Sequence, residues 1–119
     1  MLMTALILAS ALAQPMAPQA DRSTPDVAYA ELAAGNSDAA LRKLEHASAD
    51  RSDPAVLINL GTAYARQGST DKALAALRAA VASPERYDLE LADGSWMDSR
   101  EVARIALVKL QRATAQASR

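Results

Sequence analysis

Between Pro54 and Pro84 the apolar residues recur three and four positions apart. Leu57, Leu60 and Tyr64 do so in the first half and Leu74 and Leu77 in the second, a spacing that lines one face of an α-helix. Asp53-Pro54 sets a capping carboxylate before a proline suited to the first helical turn, and Gly68 stands where that helix should stop. Thr70 follows, able to cap a second helix. The same layout is written upstream, with Thr24-Pro25, then Gly35, then Ser37. The pattern predicts helices over 25–34, 37–48, 54–67 and 70–82.

After Pro84 the period changes. Tyr87-Asp88-Leu89-Glu90-Leu91 alternates apolar and acidic, Asp93-Gly94 is a tight-turn pair, and Ser95-Trp96-Met97 returns, which predicts a small β-hairpin within 87–98. Isolated two-stranded hairpins are marginal in water, so Leu89, Leu91 and Trp96 are expected to lean on the helices. Asp98 with Glu101 makes a capping box, and Val102, Ile105, Ala106, Leu107, Val108 and Leu110 continue as an apolar helix over 99–116.

The two helical stretches are also one unit written twice. Gly35-Asn36-Ser37-Asp38-Ala39-Ala40-Leu41 returns 33 residues on as Gly68-Ser69-Thr70-Asp71-Lys72-Ala73-Leu74, and Leu44 and Ala47 are echoed by Leu77 and Ala80. A fixed period of this length marks stacked supersecondary units that each need a neighbour to bury an apolar face. Gly61, Ala73 and Ala80 are small where two helices of a hairpin must cross closely.

The second copy, Leu57-x-x-Leu60-Gly61-x-x-Tyr64 followed by Gly68, Ala73-x-x-x-Leu77, Ala80 and Pro84, resembles the tetratricopeptide-repeat (TPR) signature, with Leu in place of the usual Trp and Phe. The resemblance covers Pro54 to Pro84 and extends more loosely over Thr24 to Asp53, where Val27, Ala28 and Glu31 replace the Leu, Gly and Tyr. It implies an all-α fold, a short TPR-type solenoid of helical hairpins, here with a small β-hairpin and a C-terminal capping helix. The implied units are a degenerate first repeat over 24–53, a second over 54–86, the hairpin over 87–98 and the last helix over 99–116. Three or more repeats are usual for stability, so Tyr87 to Leu110 is expected to serve as a pseudo-third unit.

By the same resemblance, the first helix of each hairpin lines a concave groove. The residues so placed are Tyr29 and Leu32, then Ala55, Ile58, Thr62 and Ala65, a mainly apolar trough with Arg66 at its edge. Ile58 and Thr62 occupy places where carboxylate-clamping TPR domains carry Lys, Arg or Asn. The expected occupant is therefore an amphipathic helix or apolar peptide of another protein. The implied function is that of a scaffold or adaptor; the alternative is self-association into a homo-oligomer.

Composition narrows the chemistry. Aromatics reach only 3% and Phe is absent, which favours closely packed helices. Thirteen Lys and Arg against 14 Asp and Glu give a formal net charge of -1, with no overall field to gather nucleic acid. The lack of cysteine removes disulfides, thiol catalysis, thiolate metal sites and a lipidated anchor. His46 is the single histidine and cannot complete a zinc site alone. Asp88, Glu90 and Asp93 before Gly94 miss calcium-loop spacing, because Leu89 and Leu91 fall where carboxylates belong and Arg100 where the final Glu should be. No phosphate-binding glycine loop is written. The expectation is a non-enzyme with no cofactor, no metal and no nucleic-acid partner.

Met1 to Ala13 is nearly all apolar and ends Ala11-Leu12-Ala13 before Gln14, the form of a secretory signal peptide with a small-x-small cleavage site. It is too short to span a bilayer, and no membrane-spanning segment is expected once it is removed. Residues 14–23, rich in Pro, Ala and Gln, read as a flexible linker. These features predict an exported protein of the bacterial periplasm.

Overall fold

The computed structural model describes residues 28–47 and 52–118. The expected leader, the linker and the Thr24-Pro25 cap lie outside the described residues. In chain order the elements are α1 (Tyr29–Ala33), α2 (Ser37–Ala47), α3 (Pro54–Arg66), α4 (Thr70–Ala82), β1 (Asp88–Glu90), β2 (Trp96–Asp98) and α5 (Ser99–Ala117). The described residues are mostly helical: their five helices pack as neighbouring pairs, one small antiparallel hairpin follows the fourth, and the last helix is long.

The sequence repeat reappears in the backbone. Asn36 N–H donates to Glu31 O at 2.8 Å and Ser69 N–H to Tyr64 O at 2.9 Å, the same bond in both copies. In each case the preceding glycine is left-handed, Gly35 at φ 78 and Gly68 at φ 80, which only a residue without a Cβ adopts freely. Both first helices therefore stop by one device. The second helices start one residue earlier than a Ser37 or Thr70 cap would require. Asn36 supplies the cap for α2, its Oδ1 accepting from Ala39 N–H at 3.2 Å, and Ser69 holds the cap position of α4 without a side-chain bond.

The copies differ at their starts. Asp53 caps α3, accepting from Ala55 N–H at 2.9 Å, with Pro54 in the first turn. In the first copy α1 begins only at Tyr29, because Ala28 is left-handed at φ 58 and a right-handed helix cannot run through it. The helix expected from residue 25 is to that extent shorter.

α3 is the axis of the core. Every residue from Pro54 to Ala63 is buried, and the helix packs against α2, α4 and α5. Buried with it are Tyr29 and Leu32 of α1, Leu44 of α2, Leu89 of the hairpin, and Val102 and Ala103 of α5. A second cluster joins Ala73 and Leu77 of α4 to Ala106 and Leu110 of α5. Gly61 sits where α3 meets α4: a Cβ there would stand 2.8 Å from Leu77 Cγ and 2.9 Å from Leu77 Cδ2. Any side chain there would force the buried Leu77 to shift.

In the hairpin Asp88 pairs with Asp98, Leu89 with Met97 and Glu90 with Trp96. Alternation then puts Leu89 on the core side and Trp96 on the other face. Leu89 is buried and Leu91 and Met97 are partly so, but Trp96 points to solvent, which corrects the expectation that it leans on the helices. Gly94, at φ 86, closes the turn with its N–H on Leu91 O at 2.9 Å.

A polar seam joins the hairpin and α5 to the helical hairpins. Ser99 and Tyr87 exchange two bonds, Ser99 N–H to Tyr87 O at 2.8 Å and Tyr87 N–H to Ser99 Oγ at 3.1 Å. Arg100 Nη2 donates to Ser83 O at 2.8 Å, and Ser83 Oγ donates to Ser52 O. The Tyr87 hydroxyl donates to Asp53, the same carboxylate that caps α3. Burial first, and then this bond, push the Tyr87 phenol well above the usual tyrosine range. Asp53→Ala removes both the cap and the acceptor and should cost about 2 kcal/mol, against about 1 kcal/mol for Tyr87→Phe. The two losses should be less than additive in denaturant melts, because they share one bond.

Candidate interaction surface

The seven residues expected to line a partner groove do not form an open trough. Tyr29, Leu32, Ala55, Ile58 and Thr62 are buried, Ile58 at 0% exposure, and only Ala65 and Arg66 are half-exposed. The reason lies in α3, which apart from Asn59 carries apolar or small residues over its first ten positions and is enclosed there. A long array leaves one side of such a helix open. Here Ile58 belongs to the same buried cluster as α1, the hairpin and α5. Thr62 turns its hydroxyl back to Ile58 O at 3.2 Å. Arg66 Nη1 donates to Leu32 O at 2.9 Å, and partial burial lowers its pKa from the usual arginine value. Its charge is tied to the end of α1.

One open, partly apolar cleft lies between α3 and α4. Leu57, Leu60 and Tyr64 of α3 and Lys72, Ala75, Ala76 and Ala79 of α4 line a cleft of about 280 Å³. Leu57 and Leu60 make its buried floor, while Ala75 and Ala79 are exposed on its wall. Tyr64 is held at the rim: its hydroxyl donates to Glu45 Oε2 at 2.7 Å, and Lys72 Nζ stands 5.6 Å from its ring centroid. Gln67 Nε2 donates to Asp38, a second tie from the α3 end to α2.

Three of these lining residues, Leu57, Leu60 and Tyr64, were marked by the repeat signature as core. The α4 wall lies outside that signature apart from its spacing: Lys72, Ala75, Ala76 and Ala79 fall at i, i+3, i+4 and i+7, one face of a helix. Alanines on that face leave room for a partner backbone to come close, since interhelical distance is set by the side chains at the contact.

The acidic hairpin is arranged around its own polar groups. Asp93 Oδ1 accepts from Ser95 N–H at 2.9 Å and from Ser95 Oγ at 2.6 Å, which lowers its pKa. Arg86 Nε meets Asp98 Oδ1 at 2.8 Å, holding that carboxyl below the usual range, while Asp98 Oδ2 caps α5 by accepting from Glu101 N–H at 3.2 Å. His46 is exposed on α2. Among the described residues no three of His, Cys, Asp and Glu gather where they could hold a metal ion, and no helix is long and apolar enough to cross a membrane.

No protein-family model matches this chain, and no curated protein or solved structure matches it either.

Proposed function

We propose that this chain is a short TPR-type repeat protein, exported to the bacterial periplasm, that acts as an interaction module for an apolar or amphipathic segment of another protein. The seat of binding is the α3–α4 cleft. Its floor of Leu57 and Leu60 supplies apolar contact, its alanine wall admits a helix at short range, and Lys72 offers a cation to an acidic residue at the edge of the segment. The observation that carries the reading is this cleft: apolar and open, on a hairpin that repeats its neighbour's backbone bonds at the 33-residue period. Hairpin and α5 together act as the third unit that closes the stack.

The test is retention of periplasmic proteins by the immobilised chain and by the Ala75→Glu, Ala79→Glu double variant. Both alanines are exposed, so the variant should keep its melting temperature. A protein held by the unmodified chain and lost at least about tenfold by the variant is expected, since two carboxylates would have to be buried against the segment. Equal retention by the two, or none by either, would overturn the reading.

A further inference from the structure

Three large apolar side chains stand exposed among the described residues: Trp96 at 60%, Ile105 at 38% and Val108 at 44%. Two of them are on α5. That helix buries Ser99, Val102, Ala103, Ala106 and Leu110 against the body. At 3.6 residues per turn, Glu101, Ile105, Val108 and Arg112 fall in a band about 60° wide on the opposite side. Their intervals of four, three and four are those of a coiled-coil seam.

The order of residues in this band is symmetric in one specific way. Ile105 and Val108 are equidistant from the midpoint between Ala106 and Leu107, and so are Glu101 and Arg112. Turned through 180° about that midpoint, the band presents Val108 to Ile105 and Arg112 to Glu101. It is complementary to itself in both shape class and charge.

We propose that this face of α5 pairs antiparallel with α5 of a second copy of the chain. An isologous two-fold contact uses the same patch twice, and within this band it sets apolar against apolar and acid against base. Ile105 packs on Val108 of the second copy, and a Glu101–Arg112 ion pair closes each end. Arg104 and Lys109 lie on opposite flanks of the band, and the two-fold sets each beside its own counterpart, about 7.5 Å along the helix axis, where both long side chains are exposed and turn outward to water. Every residue from Gln111 to Ser118 is exposed, so the last two turns of α5 stand free of their own body. The pairing lays them along the start of α5 in the second copy, towards the hairpin that carries exposed Trp96. None of these residues lines the α3–α4 cleft, so the two proposals stand or fall separately.

One helix from each copy makes a small interface, of the weak, reversible class. The Glu101 side chain makes one exposed ion pair, 3.6 Å to Arg104, so changing it should cost the fold little. Sedimentation equilibrium of the full chain, from about 1 to about 500 μM, should give a mass rising from monomer to dimer. Glu101→Arg and Arg112→Glu each set like charges against one another at both ends and should weaken the dimer at least about tenfold. The double variant restores opposite charges and should return the dissociation constant to within about threefold of the original. A monomer throughout, single variants that dimerise unchanged, or a double variant that stays monomeric would each overturn the proposal.

Discussion

A chain that ends at Pro84 should lose cooperative unfolding. Removing the hairpin and α5 strips Leu89, Val102, Ala103, Ala106 and Leu110 from the two core clusters. Large buried apolar side chains are worth about 1.5–3 kcal/mol each, so the loss from Leu89, Val102 and Leu110 alone approaches the whole stability of a small domain. The Tyr87 bond to Asp53 and the Arg100 bond to Ser83 go as well. Circular dichroism on heating should show a sharp transition for the full chain and a shallow, low one for the shortened chain. A shortened chain that melted as sharply and as hot would remove the case for a closing third unit.

Gly61→Leu should be the most damaging single substitution. Its Cβ would fall 2.8 Å from Leu77 Cγ and 2.9 Å from Leu77 Cδ2, with Ala73 O at 3.4 Å, so the buried Leu77 side chain must shift even before the rest of the new side chain is accommodated. The strain falls on the α3–α4 contact, the most extensive helix pairing among the described residues. Overpacking of this kind costs about 3 kcal/mol or more, well beyond the roughly 1 kcal/mol that leaving glycine gains in helix propensity. Urea melts should register the full difference. An unaltered midpoint would contradict the close crossing on which the repeat reading depends.

Most helix ends were legible because local chemistry writes them. Gly35 and Gly68 have to be left-handed, Asp53-Pro54 pre-sets a first turn, and Asp98 reaches Glu101 N–H, so these boundaries follow from a few neighbouring residues. Gly61 was legible for a different reason, since a glycine inside an apolar helical stripe implies a close neighbour. What was not legible depended on more distant parts of the chain. Ile58 and Thr62 sit where the resemblance would put an open groove, but both are buried, Ile58 in one core cluster with residues of α1, the hairpin and α5. Trp96 is apolar, yet the hairpin register sets it opposite Glu90 on the outer face, and register is a tertiary outcome. The cleft wall on α4 was written in the spacing of its alanines, but alanine is common on both buried and exposed faces and does not say which it occupies.

The central claim is that the α3–α4 cleft receives a segment of another protein. Its most direct test is a photoreactive side chain at Ala79, compared in living cells with the same label at exposed Gln116, and identification of whatever is captured. The account predicts one foreign protein captured from Ala79 and not from Gln116, with capture abolished by Ala75→Glu. The same products from both positions, or none from Ala79, would contradict it.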